Sequence, residues 1–276
     1  MAARRRPARG APGQHFLRSS RLASEFVREA GVGRGHLVVE IGAGTGVLTR
    51  AVAGTGARVI ALEADPALAS RLRRGFSSTE NVDVVQVDVL RWSFPRDAFA
   101  AIANLPFANS GEILRQLLRD PRGGLQRADL IVQWDFAAKH AAVWPATLRS
   151  TYWRAWYEVS VAGRLARTAF SPPPSVDAAV LRIARRPQPL VPVDEHEAYW
   201  RFLSDAFRAQ IPVRRSLRVY LTALQVKRLA PALGFAPGAH ARDIDARQWA
   251  ALFGCARRPQ PSAHLPRSTP RTFGDS

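Results

Sequence analysis

Cysteine, lysine and long uncharged runs are all scarce in this chain of 276 residues. Cys255 is the single cysteine, which excludes an internal disulfide and a metal site built on several thiolates. The six histidines show no metal-ligand spacing, so we expect no metal ion. The uncharged runs are shorter than the roughly 20 residues of a membrane-spanning helix, and the basic N-terminal segment lacks the apolar core of a signal peptide. These features predict a cytoplasmic protein that does not contact a membrane.

Acidic residues are also few, with 22 against 40 basic residues and a formal net charge of +18. Only Lys139 and Lys227 are lysines, so arginine carries nearly all of the positive charge. Codon bias can explain arginine in place of lysine, but it does not explain the excess of base over acid. A field of this sign attracts polyanions and speeds their capture. The charge therefore favours nucleic acid as the partner over an anionic membrane surface.

Short apolar runs alternate with stretches of helical period along the first half of the chain. Their near-continuous hydrophobicity is typical of strands buried on both faces. The predicted strands are residues 36–41, 58–63, 82–87, 99–104 and 129–134. This alternation predicts an α/β fold with a doubly wound sheet. Two longer runs, 158–166 and 178–184, predict an antiparallel hairpin that completes the sheet.

Composition divides the chain further. A proline-rich stretch, RRPQPLVPV, precedes a region with helical period and no strand-like run, including residues 195–210, 214–224 and 245–254. This region predicts a small, all-helical C-terminal domain. The predicted organisation is a disordered basic arm (1–12), an α/β domain (13–186), a linker (187–193), a helical RNA-binding domain (194–255) and a disordered tail (256–276).

A glycine-rich loop follows the first predicted strand of the sheet, in VVEIGAGTGVLT, and opens a helix. Gly42, Gly44 and Gly46 let the backbone turn tightly and approach a ligand, and the helix N-terminus offers free N–H groups. A dinucleotide-binding fingerprint would place its third glycine at position 47, where this chain has Val47. The spacing therefore disfavours a pyrophosphate ligand.

Acidic residues end the next two strands. Glu63 follows the second strand, where a carboxylate can bind both ribose hydroxyls, and Asp88 follows the third, where it can accept a hydrogen bond from an adenine amine. Together with Glu40 and the glycines, this order of residues fits S-adenosylmethionine as the cofactor.

The segment IANLPF, residues 102–107, closes the fourth strand at the carboxyl edge, where sheets of this kind bind ligands. The exocyclic amine of adenine is a poor nucleophile because its lone pair is delocalised into the ring. The Asn104 side chain and the Leu105 carbonyl can accept its two N–H groups and direct the lone pair at a methyl group. Phe107, after Pro106, can stack on a base that is flipped out or presented by a loop.

These residues resemble the ribosomal RNA adenine N6-methyltransferases, which include the erythromycin-resistance (Erm) methylases and the small-subunit dimethyltransferases. The matching segments are GQHFL (13–17), EIGAGTGVLT (40–49), Glu63, VDVL (87–90), NLPF (104–107) and FSPPPSVDAAVL (170–181). The resemblance implies a Rossmann-like methyltransferase domain that uses S-adenosylmethionine, a helical lobe, and RNA bound along the cleft between them.

The resemblance also implies roles for individual residues. The expected cofactor-binding residues are His15, Leu17, Gly42, Gly44, Gly46, Glu63, Asp88, Val89 and Asn104. The expected catalytic set is Asn104, Leu105, Pro106, Phe107 and Phe170, in which the two phenylalanines sandwich the target adenine. His15 stands where many members of the family have asparagine.

Within the family, the segment LIVQWDFAAKHAA and the arginine-rich ends of the chain look like the Erm methylases of actinomycete type. That branch implies methylation of one adenine in the peptidyl-transferase region of 23S rRNA and resistance to macrolide, lincosamide and streptogramin B antibiotics. Two alternatives remain open: a 16S rRNA dimethyltransferase, and a non-catalytic nucleic-acid-binding protein on the same scaffold.

Basic residues on or near predicted helices are candidates for phosphate contacts with the rRNA. They are Arg208, Arg214, Arg215 and Arg218 of the C-terminal domain, together with Lys139 and Arg149, which lie near the start and the end of another helical stretch. Nothing in the sequence demands more than a monomer.

Overall fold

A seven-stranded sheet forms the centre of the computed structural model, which describes residues 15–257. The described residues contain the strands β1 (Phe16–Leu17), β2 (Leu37–Ile41), β3 (Arg58–Glu63), β4 (Val82–Gln86), β5 (Phe99–Asn104), β6 (Leu125–Gln133), β7 (Tyr157–Leu165), β8 (Phe170–Ser171) and β9 (Ala178–Arg185). Strands β1 and β8 pair in a separate two-stranded sheet, and the other seven form the large sheet. The helices are α1 (Ser20–Ala30), α2 (Val47–Ala53), α3 (Pro66–Gly75), α4 (Ser110–Leu117), α5 (Trp134–Ala141), α6 (Leu148–Trp153), α7 (His196–Arg208), α8 (Val213–Ser216), α9 (Ala223–Leu233) and α10 (Ala246–Arg257).

The strand order of the large sheet is β4-β3-β2-β5-β6-β9-β7. The first five of these strands are parallel, and β9 runs antiparallel to both β6 and β7. This topology confirms the predicted doubly wound sheet with an antiparallel terminal hairpin. The chain first builds outwards from β2 through β3 to β4, and then returns to place β5 on the other side of β2. Ligands bind at such a reversal because the loops that follow the adjacent strands β2 and β5 run away from each other and leave a crevice between them.

Strand register determines which residues meet at this reversal. Ile41 at the end of β2 lies opposite Leu62 of β3 and Ala103 of β5. The next residues along the three strands are Gly42, Glu63 and Asn104. The register therefore brings the glycine loop, the first acidic residue and the first residue of NLPF to one edge of the sheet.

The sheet is buried on both faces, as its apolar strands predict. One hydrophobic cluster covers one face and includes Ile102, Ile131 and Phe170. The cluster on the other face continues without a break into the helical segment, where Tyr199 and Trp249 are fully buried. The predicted division into two domains stays a prediction.

The proline-rich connection between the two parts is fastened to the first of them. The indole nitrogen of Trp156 donates a hydrogen bond to the Val191 carbonyl at 2.9 Å, and the Leu190 amide donates to the Ala155 carbonyl at 2.8 Å. In this structure the predicted linker is therefore held against the α/β part of the molecule.

A buried carboxylate joins the sheet to α1. Asp129 on β6 is 1% exposed and accepts from Arg127 at 2.6 Å and from Arg182 of β9 at 2.7 Å. Both guanidinium groups also donate to the backbone carbonyl of Glu29, near the end of α1. Two arginines therefore compensate the buried charge and hold the helix end against the strands.

One helix prediction in the C-terminal region is wrong. Residues 214–224 do not form a single helix, because α8 ends at Ser216 and α9 begins after Thr222. The Thr222 hydroxyl accepts from the Gln225 amide at 3.2 Å, and the Gln225 side chain accepts from the Thr222 amide at 2.7 Å. This capping box starts a new helix at that point.

The ends of the described chain differ from the prediction in two places. The two-residue strands β1 and β8 were not predicted, and α10 reaches Arg257, two residues beyond the predicted boundary at 255. The predicted basic arm (1–12) and residues 258–276 of the predicted tail lie outside the described residues. None of the helices between residues 15 and 257 is long and apolar enough to cross a membrane.

Candidate active site

A cavity of about 390 Å³ lies at the carboxyl edge of β2, β3 and β5. Its size is within the range of small-molecule sites in proteins. Nine of the predicted site residues line it: His15, Gly42, Gly44, Glu63, Asp88, Val89, Asn104, Leu105 and Pro106. The structure thus brings together residues that are as far apart in the chain as positions 15 and 106.

A hydrogen bond to a carboxylate at the end of β3 holds the glycine loop in place. The Gly44 amide donates to Glu63 Oε2 at 2.7 Å, and Gly44 has φ +55°. A Cβ atom there would lie 2.8 Å from Cε1 of Phe16. Glycine is required because of both its left-handed backbone and the close approach of this ring.

Gly46 has a different environment from the one predicted. A Cβ atom on Gly46 would lie 2.8 Å from Leu72 and 3.0 Å from Phe76, and the residue does not line the cavity. The third glycine allows α3 to pack against the start of α2. Its contribution to the site is therefore through the position of that helix.

The carboxylates at the strand ends keep acceptor capacity for a ligand. Glu63 is 6% exposed and uses its second oxygen, Oε1, to accept from the Asp65 amide at 2.9 Å. Asp88 accepts from the Leu90 amide at 3.0 Å through Oδ1. Because a carboxylate has about four lone-pair positions, Glu63 retains acceptor sites for two hydroxyl groups. Asp88 retains its other oxygen.

Glu40 is the most deeply buried acid of the region, with 1% of its surface exposed. It lines a small recess beside the cavity, together with Leu17 and Asn104. Its Oε2 has no hydrogen-bond partner among the described residues. Burial raises the pKa of this carboxyl to about 8. Leu17, a predicted cofactor contact, lines this recess and does not line the main cavity.

The Asn104 amide has a defined orientation. Its Nδ2 donates to the backbone carbonyl of His15 at 2.6 Å. The amide oxygen is therefore the group left to accept a hydrogen bond from a substrate. The Leu105 amide donates to the Ile131 carbonyl at 3.0 Å, which holds the start of the loop to β6.

The two predicted stacking residues are placed differently. Phe107 is half-buried, and its ring centroid lies 5.4 Å from that of His15. Phe170 is fully buried under the pairing of β1 with β8, in which Leu17 lies opposite Phe170. The stacking role of both rings stays a prediction. In this structure Phe170 presents no surface to a base.

The segment around His15 contacts both the segment after β8 and the Asn104 side chain. His15 Nδ1 lies 2.8 Å from the Pro172 carbonyl, and its own carbonyl binds Asn104. The sequence did not point to Phe16 as a cavity residue, although it lies in GQHFL between two predicted contacts. Asn109 and Ile113 also line the cavity and were missed, because they belong to the start of α4 and read as ordinary helix residues.

The groups around the cavity suit S-adenosylmethionine. Glu63 and Asp88 provide acceptors for hydroxyl and amine groups. Leu62, Val87 and Ile113 line the same cavity and provide apolar surface for a flat ring. The glycine loop exposes backbone close to the ligand. Within residues 15–257 no group of three or more His, Cys, Asp or Glu side chains is placed to hold a metal ion.

The six basic candidates for RNA contacts are exposed; five lie on four different helices, and Arg218 lies on the turn after α8. In the part of the chain that the structure describes, none of the six forms an ion pair with a carboxylate. Lys139 lies on α5 and Arg149 on α6, so they do not share one helix. Arg214, Arg215 and Arg218 lie on or just after α8.

The fold and the cavity define a Rossmann-like methyltransferase that uses S-adenosylmethionine. Comparison with known proteins is more specific. The sequence profile of the family described as ribosomal RNA adenine dimethylase matches residues 7–256. The chain belongs to this family.

Individual relatives agree with this assignment. The mycinamicin-resistance protein MyrB of Micromonospora griseorubida is 32% identical in an alignment of 277 positions that covers 95% of this chain and 85% of MyrB. A protein of Methanosarcina acetivorans named "Probable ribosomal RNA small subunit methyltransferase A" is 34% identical over 66% of this chain and 67% of its own length. The crystal structure of the 23S rRNA methyltransferase ErmE superposes with a TM-score of 0.76 at 26% identity, over 87% of this chain and 98% of ErmE.

Proposed function

We propose that this protein transfers a methyl group from S-adenosylmethionine to the N6 amine of one adenine in 23S rRNA. The modification confers resistance to macrolide, lincosamide and streptogramin B antibiotics, because it adds bulk where they bind. The observation that carries the proposal is the geometry of Asn104, which keeps its amide oxygen free beside the cofactor cavity. The similarity to MyrB over 95% of the chain supports the resistance branch.

Positioning carries most of the rate in this account. When bound, S-adenosylmethionine supplies an activated methyl group on a positively charged sulfur. The Asn104 oxygen and the Leu105 carbonyl accept the two N–H groups of the amine and draw its nitrogen towards tetrahedral geometry. Glu63, Asp88 and the glycine loop would hold the cofactor so that this lone pair is directed at its methyl group. The sulfonium would then supply the methyl group and leave as a neutral thioether, and the amine would release one proton to water.

The helical region 194–255 and the six basic residues supply the RNA contacts in this proposal. An excess of unpaired arginine on the surface is what phosphate recognition requires. We place the reaction in the cytoplasm, where rRNA is made in bacteria, and we expect a monomer to be sufficient.

A second candidate is methylation of the small-subunit rRNA, which the similarity to the Methanosarcina protein favours. The two are separated by offering protein-free 23S and 16S rRNA in separate reactions with tritiated S-adenosylmethionine. Label in 23S rRNA alone supports the proposal. Label in 16S rRNA near its 3′ end would assign the protein to ribosome biogenesis. No label in either RNA, with RNA binding intact, would favour a non-catalytic binding protein.

A further inference from the structure

A second cavity, of about 410 Å³, lies where the helical region meets the α/β part. Arg119, after α4, contributes to one side. Arg149, Tyr152 and Trp153 of α6 contribute to another, and His196, Glu197, Trp200 and Arg201 of α7 complete the lining. It shares no residue with the cofactor cavity. It is also as large as that cavity, so it has room for a ligand larger than a phosphate ion.

The cavity carries uncompensated positive charge. Arg119, Arg149 and Arg201 are exposed, and within residues 15–257 none of the three forms an ion pair with a carboxylate. Glu197 is the one acidic residue of the lining. Three unpaired guanidinium groups around one opening favour an anion, and their planar forks suit phosphate oxygens.

Aromatic side chains line the same cavity; Trp200 is half-buried, whereas Tyr152 and Trp153 are buried. The rings of Tyr152 and Trp200 meet edge to face with centroids 5.0 Å apart, and the Arg149 guanidinium lies 5.8 Å from the Trp200 ring centre. The Tyr152 hydroxyl lies 3.1 Å from His196 Nδ1. A ligand that uses both the cations and the rings must be anionic and aromatic at once. Single-stranded nucleic acid has this combination, because each base has a π face and each link a phosphate.

We propose that this cavity binds an unpaired nucleotide of the rRNA substrate, with its base against Trp200 and its phosphate on Arg149 and Arg201. The inference rests on the proposed function, since it names a second contact for the same RNA. NLPF precedes α4 and Arg119 follows it, so the two places lie at opposite ends of a helix of eight residues, which is about 12 Å long at 1.5 Å per residue. One RNA that follows this helix reaches both places, and Glu197 provides an acceptor for a base amine.

The test measures equilibrium binding of the full-length protein to a 23S rRNA transcript that contains the target adenine. The double variant Arg149→Ala/Arg201→Ala should raise the Kd for RNA about tenfold. Trp200→Ala should weaken binding by a similar factor, and Trp200→Phe should retain most of the affinity because a face for stacking remains.

The matched control is Arg71→Ala/Arg74→Ala on α3, which removes the same charge from exposed arginines outside the cavity. An equal loss of affinity in both double variants would overturn the proposal, because it would show general attraction between the protein and RNA. A transcript carrying 4-thiouridine should also crosslink to the peptides that contain Tyr152 or Trp200, and crosslinks confined to other peptides would contradict the site. Binding needs no turnover, so a failure of methyl transfer would count against the proposed function alone.

Discussion

The side-chain nitrogen of Asn104 donates a hydrogen bond to the backbone carbonyl of His15 at 2.6 Å. The two residues are 89 positions apart in the chain. The contact fixes the rotation of the amide, so the N-terminal segment determines which way the Asn104 oxygen points. The His15 ring also lies beside Phe107, at 5.4 Å between centroids. The N-terminal strand is therefore part of the wall of the cofactor cavity.

Replacement of Asn104 by alanine should remove turnover and leave RNA binding intact. The variant loses one of two acceptors for the amine, and the loss of one well-placed hydrogen-bonding group in a catalytic site costs about 100-fold or more. Single-turnover transfer from tritiated S-adenosylmethionine measures the rate, and filter binding measures the RNA affinity. Rates equal to wild type would contradict the assigned role of Asn104.

Phe107→Ala should reduce kcat/KM for RNA much more than Phe107→Tyr. Stacking of a base on an aromatic ring contributes about 1–3 kcal/mol, which tyrosine preserves and alanine removes. Steady-state kinetics on the same transcript compare the two variants. Equal effects would show that the ring packs beside His15 without holding a base.

Gly44→Ala should weaken binding of S-adenosylmethionine and lower stability. A left-handed residue other than glycine costs about 1–2 kcal/mol, and the added methyl would collide with Phe16 at the edge of the cavity. Isothermal titration gives the cofactor Kd, and urea unfolding gives the stability. Gly75→Ala is the control, since a Cβ atom there would meet nothing within 4 Å. Equal cofactor affinity in both variants would argue against a close approach at Gly44.

Asp129→Ala should lower the free energy of unfolding by about 2–4 kcal/mol, because it leaves two arginines partly buried without their partner. The matched control, Asp83→Ala, breaks the exposed pair with Arg58 and should cost less than about 1 kcal/mol. Urea unfolding at one pH compares them. A cost no greater than that of the control would show that water replaces Asp129.

Glu40 should make stability depend on pH. Its folded pKa of about 8 lies above the usual value of 4.5, so between these values the folded protein holds a proton that the unfolded chain releases. The free energy of unfolding therefore falls as pH rises from about 4.5 to 8, by up to about 1.4 kcal/mol for each pKa unit. Glu40→Gln should flatten this fall in urea unfolding measured at pH 5, 6.5 and 8. Parallel profiles for the variant and wild type would contradict the raised pKa.

The sequence predicts which residues meet at the carboxyl edge of the sheet, because this placement depends on local patterns. Apolar runs define the parallel strands, and their common carboxyl edge places Gly42, Glu63 and Asn104 together. Contacts between distant segments are harder to predict. The burial of Phe170 follows from the pairing of two-residue strands, which have no periodicity to detect. The position of Gly46 follows from the packing of α3, which the motif does not specify.

The helical region shows the same limit. A capping box divides residues 214–224, although their apolar spacing is typical of one helix. The second cavity draws on three segments between Arg119 and Arg201, and no motif connects them. Arginines at its rim look in the sequence like many other surface arginines. Only their shared surroundings of aromatic rings set them apart.

Mass spectrometry of nucleosides from treated 23S rRNA, with the modified position mapped by primer extension, tests the central claim most directly. Wild-type protein should produce N6-methylated adenosine at a single position, and Asn104→Ala should produce almost none under the same conditions. Methylation of another base or another atom of adenine, or equal product from the Asn104→Ala variant, would contradict the account.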